Sequence, residues 1–207
     1  MTETAIDAPK QERGERRRRR MIEVATEIFL ERGYGGASLD EIVKRSGGSR
    51  RDIYAWFGTK EELFGAVITS ACSEIFGAFA QADFDSDEPI EALTDVCVTF
   101  IATLLTPRVL NLYRLVIGES GRHPQLGQIF YERGPATAIR QLADVLTLWN
   151  KKSRLQISDP HRAAEFILEM MKGDLHLKVL FSVSKPPSTE DLRNHVRDAL
   201  KLLKLAQ

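Results

Sequence analysis

Apolar residues recur at intervals of three and four along almost the whole chain, and no segment alternates polar and apolar residues as a strand would. That spacing confines the chain to an all-α architecture, because a helix buries every third and fourth residue whereas a strand buries every second. The stops are as readable as the period. Met21, Ala25, Ile28 and Phe29 mark one face of a first helix that ends at Arg32-Gly33. Ser38 with Glu41 three residues on has the form of a capping box and opens a short helix carrying Leu39, Ile42 and Val43. Ser46-Gly47-Gly48 breaks that helix where the backbone needs positive φ. Ser49 caps a second short helix running to Phe57, and a longer helix over 60–81 keeps Leu63, Phe64, Val67, Ile68, Ala71, Ile75 and Phe76 in period.

Asp83 to Pro89 is an acidic, turn-rich link, and longer amphipathic helices follow it. Ile90 to Leu105 form one. Thr106-Pro107, His123-Pro124, Gly134-Pro135 and Asp159-Pro160 each set a proline at a helix start, where its missing N–H costs nothing. The helix opened by Pro160 runs to about Phe181, and Ser188 to Asp191 begins a last one bearing Leu192, Val196, Leu200 and Leu203. The count is about ten helices: an N-terminal three-helix helix-turn-helix domain followed by a C-terminal helical bundle.

Net charge is zero, with 29 basic and 29 acidic residues, so no overall field draws the chain to nucleic acid. The distribution is uneven. Lys10, Arg13 and the run Arg16 to Arg20 face only Glu12 and Glu15, and residues 44–51 hold Lys44, Arg45, Arg50 and Arg51 with no acid. Residues 1–15 read as a flexible basic tail. The arginine run begins the first helix or forms an arm before it, and either touches DNA or serves only solubility.

Cys72 and Cys97 share no metal-ligand spacing and read as buried, reduced packing residues. No metal and no cofactor are expected. No run is long and uncharged enough to cross a membrane, and Glu23 and Glu27 interrupt the stretch that a signal peptide would need. A cytoplasmic protein without a membrane partner is the expectation. Catalysis finds no support: His-Glu-x-x-His, paired Glu-x-x-His and Gly-x-Ser-x-Gly are all missing. Gly33-Tyr34-Gly35-Gly36 follows a helix rather than a strand, which makes it a helix stop and not a nucleotide loop.

Two short helices joined by a tight glycine turn behind a supporting helix can place the second one in the major groove of DNA. Ser49, Arg50, Arg51 and Asp52 occupy its first turn, which reaches base edges. Ile53 and Phe57 form its inward face, and Tyr54 and Trp56 offer polar edges at groove level. Spacing alone leaves an ordinary helical protein as an equal alternative.

Three stretches decide between them. Glu-Ile-Phe-Leu-Glu-Arg-Gly-Tyr at 27–34, Ala-Ser-Leu-Asp-Glu-Ile-Val at 37–43 and Ile-Tyr-Ala-Trp-Phe-Gly-Thr-Lys-Glu-Glu-Leu-Phe at 53–64 resemble the DNA-binding domain of the TetR family of regulators. The resemblance implies DNA contacts at Ser38, Ser49, Arg50, Arg51, Asp52, Tyr54, Trp56 and Lys60, the last opening a helix whose N-terminus favours a phosphate. Arg51, Asp52 and Gly48 depart from the usual family residues. An arginine can grip guanine and an aspartate can accept from cytosine, or Asp52 pairs with an arginine and orients it.

Tyr113-Arg114-Leu115-Val116-Ile117, Phe130-Tyr131-Glu132-Arg133-Gly134-Pro135 and Met171-Lys172-Gly173-Asp174-Leu175-His176-Leu177 resemble the AefR-like C-terminal domain of a TetR subgroup. This resemblance implies a helix-turn-helix domain over 16–65 and an effector-binding, dimerising domain over 66–207. It also implies a homodimer built on residues 160–181 and 188–205, and a ligand-responsive repressor that binds palindromic double-stranded DNA. The alternative is a structural or partner-recruiting DNA-binding protein without a ligand. Candidate effector-lining residues are Phe100, Leu104, Tyr113, Ile117, Phe130, Trp149, Phe166 and Met170, each of which reads first as an ordinary core residue. His176 reads as a histidine hydrogen-bonded at the interface, and His123 as a turn residue.

Overall fold

The computed structural model describes residues 8–82, 88–152 and 156–203. Among them are eleven helices and no strand: α1 (Ala8–Gly36), α2 (Leu39–Ser46), α3 (Arg50–Trp56), α4 (Lys60–Ala71), α5 (Ser73–Ala80), α6 (Pro89–Leu104), α7 (Pro107–Glu119), α8 (Pro124–Arg133), α9 (Pro135–Lys151), α10 (Pro160–Leu180) and α11 (Thr189–Leu202). They fall into two compact units, one of residues 1–70 with 115–130 and one of 71–114 with 131–207.

In the first unit α1 lies against α2 and α2 against α3. Met21, Ile28, Phe29, Ile42, Ile53 and Leu63 are buried between these helices and α4. Phe29, Tyr34 and Phe64 form an aromatic centre with ring centroids 5.4–5.7 Å apart, in the stacked and edge-on arrangements that their quadrupoles favour. Around it Arg45 of α2 grips Glu27 and Glu31 of α1 at 2.9 Å each. Gly33, at φ 72°, is non-helical inside α1, so the regular helix stops where the sequence places its end. A Cβ at that position would lie 2.5 Å from an oxygen of Glu119, the last residue of α7.

In the second unit α9 packs along α10, while α6 packs against α11 and α5. Trp149, Leu93, Leu142, Leu146, Met171, Val196 and Leu200 are buried there. Asp159 caps α10 by accepting from the Arg162 amide at 3.0 Å, directly before Pro160. Ser188 and Asp191 close a full capping box on α11. Arg114 of α7 ties down the far end of α10, donating to the Leu180 carbonyl from Nε at 2.9 Å and Nη2 at 2.7 Å. Gly173 interrupts α10 at φ 41°. His195 of α11 lies with Nε2 3.0 Å from the Met171 carbonyl in the turn before that break, which makes Nε2 its protonated nitrogen.

Three expectations change. Helix α1 begins at Ala8 and so takes in residues 8–15, read as tail from the sequence; Lys10, Gln11, Glu12, Arg13 and Glu15 are strong helix formers, and Pro9 sits in the first turn where it is tolerated. Residues 1–7 lie outside the described residues, as do 83–87 of the acidic link. The single helix over 60–81 is two, α4 and α5, separated at Cys72. Thr69, Ser70 and Ser73 surround the break, and the Thr69 hydroxyl bonds back to the Gly65 carbonyl at 3.0 Å, a competition that weakens helices. Ser38 caps α2 through the Asp40 amide at 3.2 Å, and Glu41 instead lies near Arg32 and Arg45. No single helix is long and apolar enough to cross a membrane among the described residues.

Candidate functional site

The turn between α2 and α3 depends on Gly47, which caps α2 in the left-handed conformation at φ 71° with its amide bonded to the Val43 carbonyl. Two residues later the chain re-enters a helix at Ser49. The Ser49 Oγ accepts from the Asp52 amide at 3.1 Å, while one Asp52 oxygen accepts from the Ser49 amide at 3.0 Å and from its hydroxyl at 2.8 Å. Asp52 is thus the acid of a capping box. The sequence does not announce this, because the usual residue there is the longer Glu or Gln. Its carboxylate orients the first turn of α3 and is paired with Ser49, not with an arginine.

The arginine beside it has a different partner. Arg50 donates from both Nε and Nη2 to the carboxylate of Asp40, in the first turn of α2. The Arg50 guanidinium holds Asp40 below the usual carboxylate range, through the hydrogen bonds first and charge second. A two-toothed contact fixes the plane of a guanidinium as well as its position, so α2 aims this side chain. Arg51 is exposed and makes no ion pair among the described residues. Tyr54 is 57% exposed, Trp56 is half-buried against the edge of Phe57, and Ile53 and Phe57 are buried as expected.

Lys60 opens α4 behind Thr59, whose hydroxyl accepts from the Glu62 amide at 3.1 Å. Its ammonium lies 4.5 Å above the ring of Tyr34. Burial lowers its pKa, against the pull of Glu61 and Glu119. Lys60 is therefore held at a helix N-terminus by an aromatic face, a position suited to one phosphate. Ser38, Ser49, Arg50, Arg51 and Tyr54 are exposed, and all eight expected DNA-contact residues lie in the first unit, on α3 or at the starts of α2, α3 and α4.

The eight candidate effector residues are not brought together in this way. Phe100, Leu104 and Trp149 are buried, and Tyr113, Phe130 and Met170 are half-buried. Ile117 at 62% and Phe166 at 53% exposure are on the surface of the chain, which corrects their reading as interior lining. Their helices turn these positions outward, and Arg162 covers part of the Phe166 ring at 5.6 Å. Ile117 and Phe130 also belong to the first unit, whereas the other six belong to the second.

His176 has surroundings that the sequence does not reveal. It is 5% exposed, its ring meets the edge of Tyr113 at 4.9 Å, and its Nε2 is buried without a hydrogen-bond partner. The hydrogen bond expected for it at the interface between copies is not supplied to Nε2 from within this chain. Burial first, and then the Lys172 charge, lowers its pKa, so the ring is neutral near pH 7. Asp174 pairs with Lys178 and not with it. Nothing in the sequence marks this, since the partner set of a histidine depends on which helices surround it. Burial also pushes the Cys72 thiol up to about 11 and Cys97 up to about 12, which leaves both as unreactive packing groups. No group of three or more His, Cys, Asp and Glu side chains is placed to hold a metal ion among the described residues.

An all-helical chain with a capped, basic second helix behind a glycine turn is the architecture of a helix-turn-helix regulator. The family models for bacterial regulatory proteins of the TetR family and for the AefR-like transcriptional repressor C-terminal domain match residues 21–67 and 91–205, and the chain belongs to the TetR family of transcriptional regulators. A solved TetR-family regulator from Mesorhizobium loti superposes with TM-score 0.75 at 29% identity, over 92% of this chain and 98% of its own. The flavonoid-responsive regulator FrrA superposes with TM-score 0.72 at 31% identity, over 93% of this chain and 98% of its own. The transcriptional activator FasR of Mycolicibacterium smegmatis is 32% identical over 88 residues, and the repressor NicS of Pseudomonas putida 29% over 90. Those stretches span 41% and 44% of this chain and only 40% and 42% of those two relatives.

Proposed function

We propose that the chain is a ligand-released repressor that binds a palindromic operator as a homodimer, and that its effector is a small hydrophobic or amphipathic molecule held in the second unit. The observation that carries the effector is His176: a neutral, buried ring with an unsatisfied acceptor or donor, inside a body whose other interior groups are mostly apolar. An unpaired buried polar group costs roughly 1–3 kcal/mol, and a bound molecule that pairs with it recovers that penalty as affinity. The matching ligand is largely apolar with one polar group at its edge. A flavonoid, the class to which the relative FrrA responds, shares the flat aromatic body and carries several polar groups at its edge, any one of which can meet the ring. The relatives include both an activator and a repressor, and the repressor reading follows the C-terminal family model.

DNA recognition in this reading uses α3 in the major groove, with Arg50 and Arg51 at base edges and Ser38, Tyr54, Trp56 and Lys60 on the backbone. Two copies are needed, because a seven-residue helix makes few contacts; their half-sites lie about 34–36 Å apart. Leu177, Phe181, Val183 and Leu202 are 50–77% exposed on or beside α10 and α11, and pairing two copies through these helices covers them. The switch passes through α7, not through a continuous helix over 60–81. Tyr113 of α7 touches His176, and Glu119 at its end acts on Lys60. A coupling of roughly 1–3 kcal/mol loosens the operator about 5- to 150-fold.

The test is operator affinity by fluorescence anisotropy against a panel of planar phenols and their O-methyl ethers, with thermal stability measured in parallel. Compounds that raise the melting temperature are expected to weaken operator binding. Compounds that stabilise the protein and leave DNA affinity untouched would sink the switch and favour the ligand-free alternative.

A further inference from the structure

The arginine run, left open between tail, arm and helix by the sequence, is part of α1. Arg13, Arg16, Arg17 and Arg20 fall at i, i+3, i+4 and i+7, which is one face of a helix. With Arg19, Glu23 and Ser46 they line a groove of about 680 Å³. Among the described residues, five arginines meet a single carboxylate there, and Arg20 already holds that one at 3.3 Å. The groove is also tied to the reading head. Ser46 ends α2, three residues before the cap of α3. Met21 presses its methyl group into the space that a Cβ on Gly48 would need, and Arg18 lies 5.2 Å over Phe57 at the other end of α3.

We infer that this face of α1 is a second DNA-binding surface, which takes the phosphates flanking each half-site without reading sequence. It rests on the placement of α3 in the major groove. Charge selects the partner: a row about 10 Å long on the helix axis faces a duplex that carries a charge every ~1.7 Å. Geometry excludes the arm reading. A helix ~10–12 Å across its side chains does not enter a minor groove ~6 Å wide, so the row lies along the backbone. Each arginine that replaces counterions at one phosphate steepens the dependence of affinity on salt by about 0.9 in log-log slope.

The experiment uses the full chain and an operator selected from random duplexes, either trimmed to its core or extended by A·T-rich or G·C-rich flanks. The wild type is compared with a variant carrying Arg13→Ser, Arg16→Ser, Arg17→Ser and Arg20→Ser, and with the corresponding four-lysine variant, after their circular dichroism has been matched. Flanks of either composition are expected to raise wild-type affinity roughly tenfold or more. The serine variant should lose that gain and about three to four units of salt slope, with its operator-to-random ratio unchanged, and the lysine variant should keep both. A serine variant that retains the flank gain and the slope overturns the inference, as does a gain confined to A·T-rich flanks, which assigns the arginines to the minor groove. If the serine variant does not fold, the wild type alone decides, and the absence of a flank gain overturns the inference. A wild-type operator-to-random ratio near one breaks the α3 reading alone, because flank gain and salt slope are measured on any duplex.

Discussion

The two units place their distinctive polar groups differently, at the surface in one and in the interior in the other. In the first, the charged side chains at the expected DNA-contact positions are exposed or half-buried and mostly paired: Arg50 with Asp40, Asp52 with Ser49, Lys60 over Tyr34. In the second, Nε2 of the His176 ring is buried without a hydrogen-bond partner, as are Gln141 Oε1 in the same unit and the Tyr34 hydroxyl oxygen in the first. Under the proposed function the contrast follows from the ligands. A duplex is a large polyanion that will exchange with exposed partners at little cost, so pairing them beforehand preserves geometry without blocking access. A small molecule has few atoms with which to gain affinity, and a site that leaves one group unsatisfied until the ligand arrives gives it a strong reason to bind.

The largest expected effect tests whether the second unit is otherwise closely packed. Trp149 is fully buried on α9, and Trp149→Ala should cost about 3–5 kcal/mol in denaturant unfolding. A loss below about 1 kcal/mol would mean a loose interior, in which an unpaired His176 is unremarkable. Next comes the paired surface. Arg50→Ala and Arg51→Ala should each weaken the operator about 5- to 150-fold and relax the preference at one base pair, while Lys60→Ala weakens all sequences alike and lowers the salt slope by about one. Equal losses on operator and random DNA for both arginines would move them to the backbone.

Smaller is the cap. Ser49→Ala removes the Oγ that accepts from the Asp52 amide and leaves the Ser49 amide still bonded to the Asp52 carboxylate, and about 1 kcal/mol of stability should go with it. If stability is unchanged while DNA binding falls, Ser49 acts on phosphate and not on the helix. The smallest effect concerns His176. Its folded pKa lies below the ordinary value, so the unfolded chain binds more protons in the window below about pH 6.5, and stability rises with pH there. Lowering the pH from 7 should therefore destabilise the protein, and His176→Gln should flatten that slope. A slope that survives the substitution would place the responsible group elsewhere and weaken the contrast between the units.

Much of the first unit is legible without coordinates. Its helices are short, their caps are local, and the distance from Ser38 to Lys60 is covered by turns whose residues announce themselves. Even there, Arg50–Asp40 is invisible, since it joins residues ten apart across a turn whose angle only packing sets. The break at Cys72 is hidden as well, because Ile75 and Phe76 continue the apolar period through it. In the second unit the buried identities of Phe100, Leu104 and Trp149 can be read, but the exposure of Phe166 cannot, nor that of Ile117 in the first. Periodicity says that a residue is apolar and on a face. It does not say whether that face meets another helix of the same chain.

By itself, then, the sequence determined the all-α class, most helix boundaries and the chemistry of the residues expected to meet DNA. Each of these follows from interactions within four residues of one another: caps, proline at N1, glycine at positive φ, and the 3.6-residue repeat. The tertiary structure alone decided that Arg50 rests on Asp40, that Arg13, Arg16, Arg17 and Arg20 line one groove beside Ser46, and that His176 is left without a partner. Those are relations between residues distant in sequence. Their energies depend on which surfaces exclude water, and that is settled only when the helices pack.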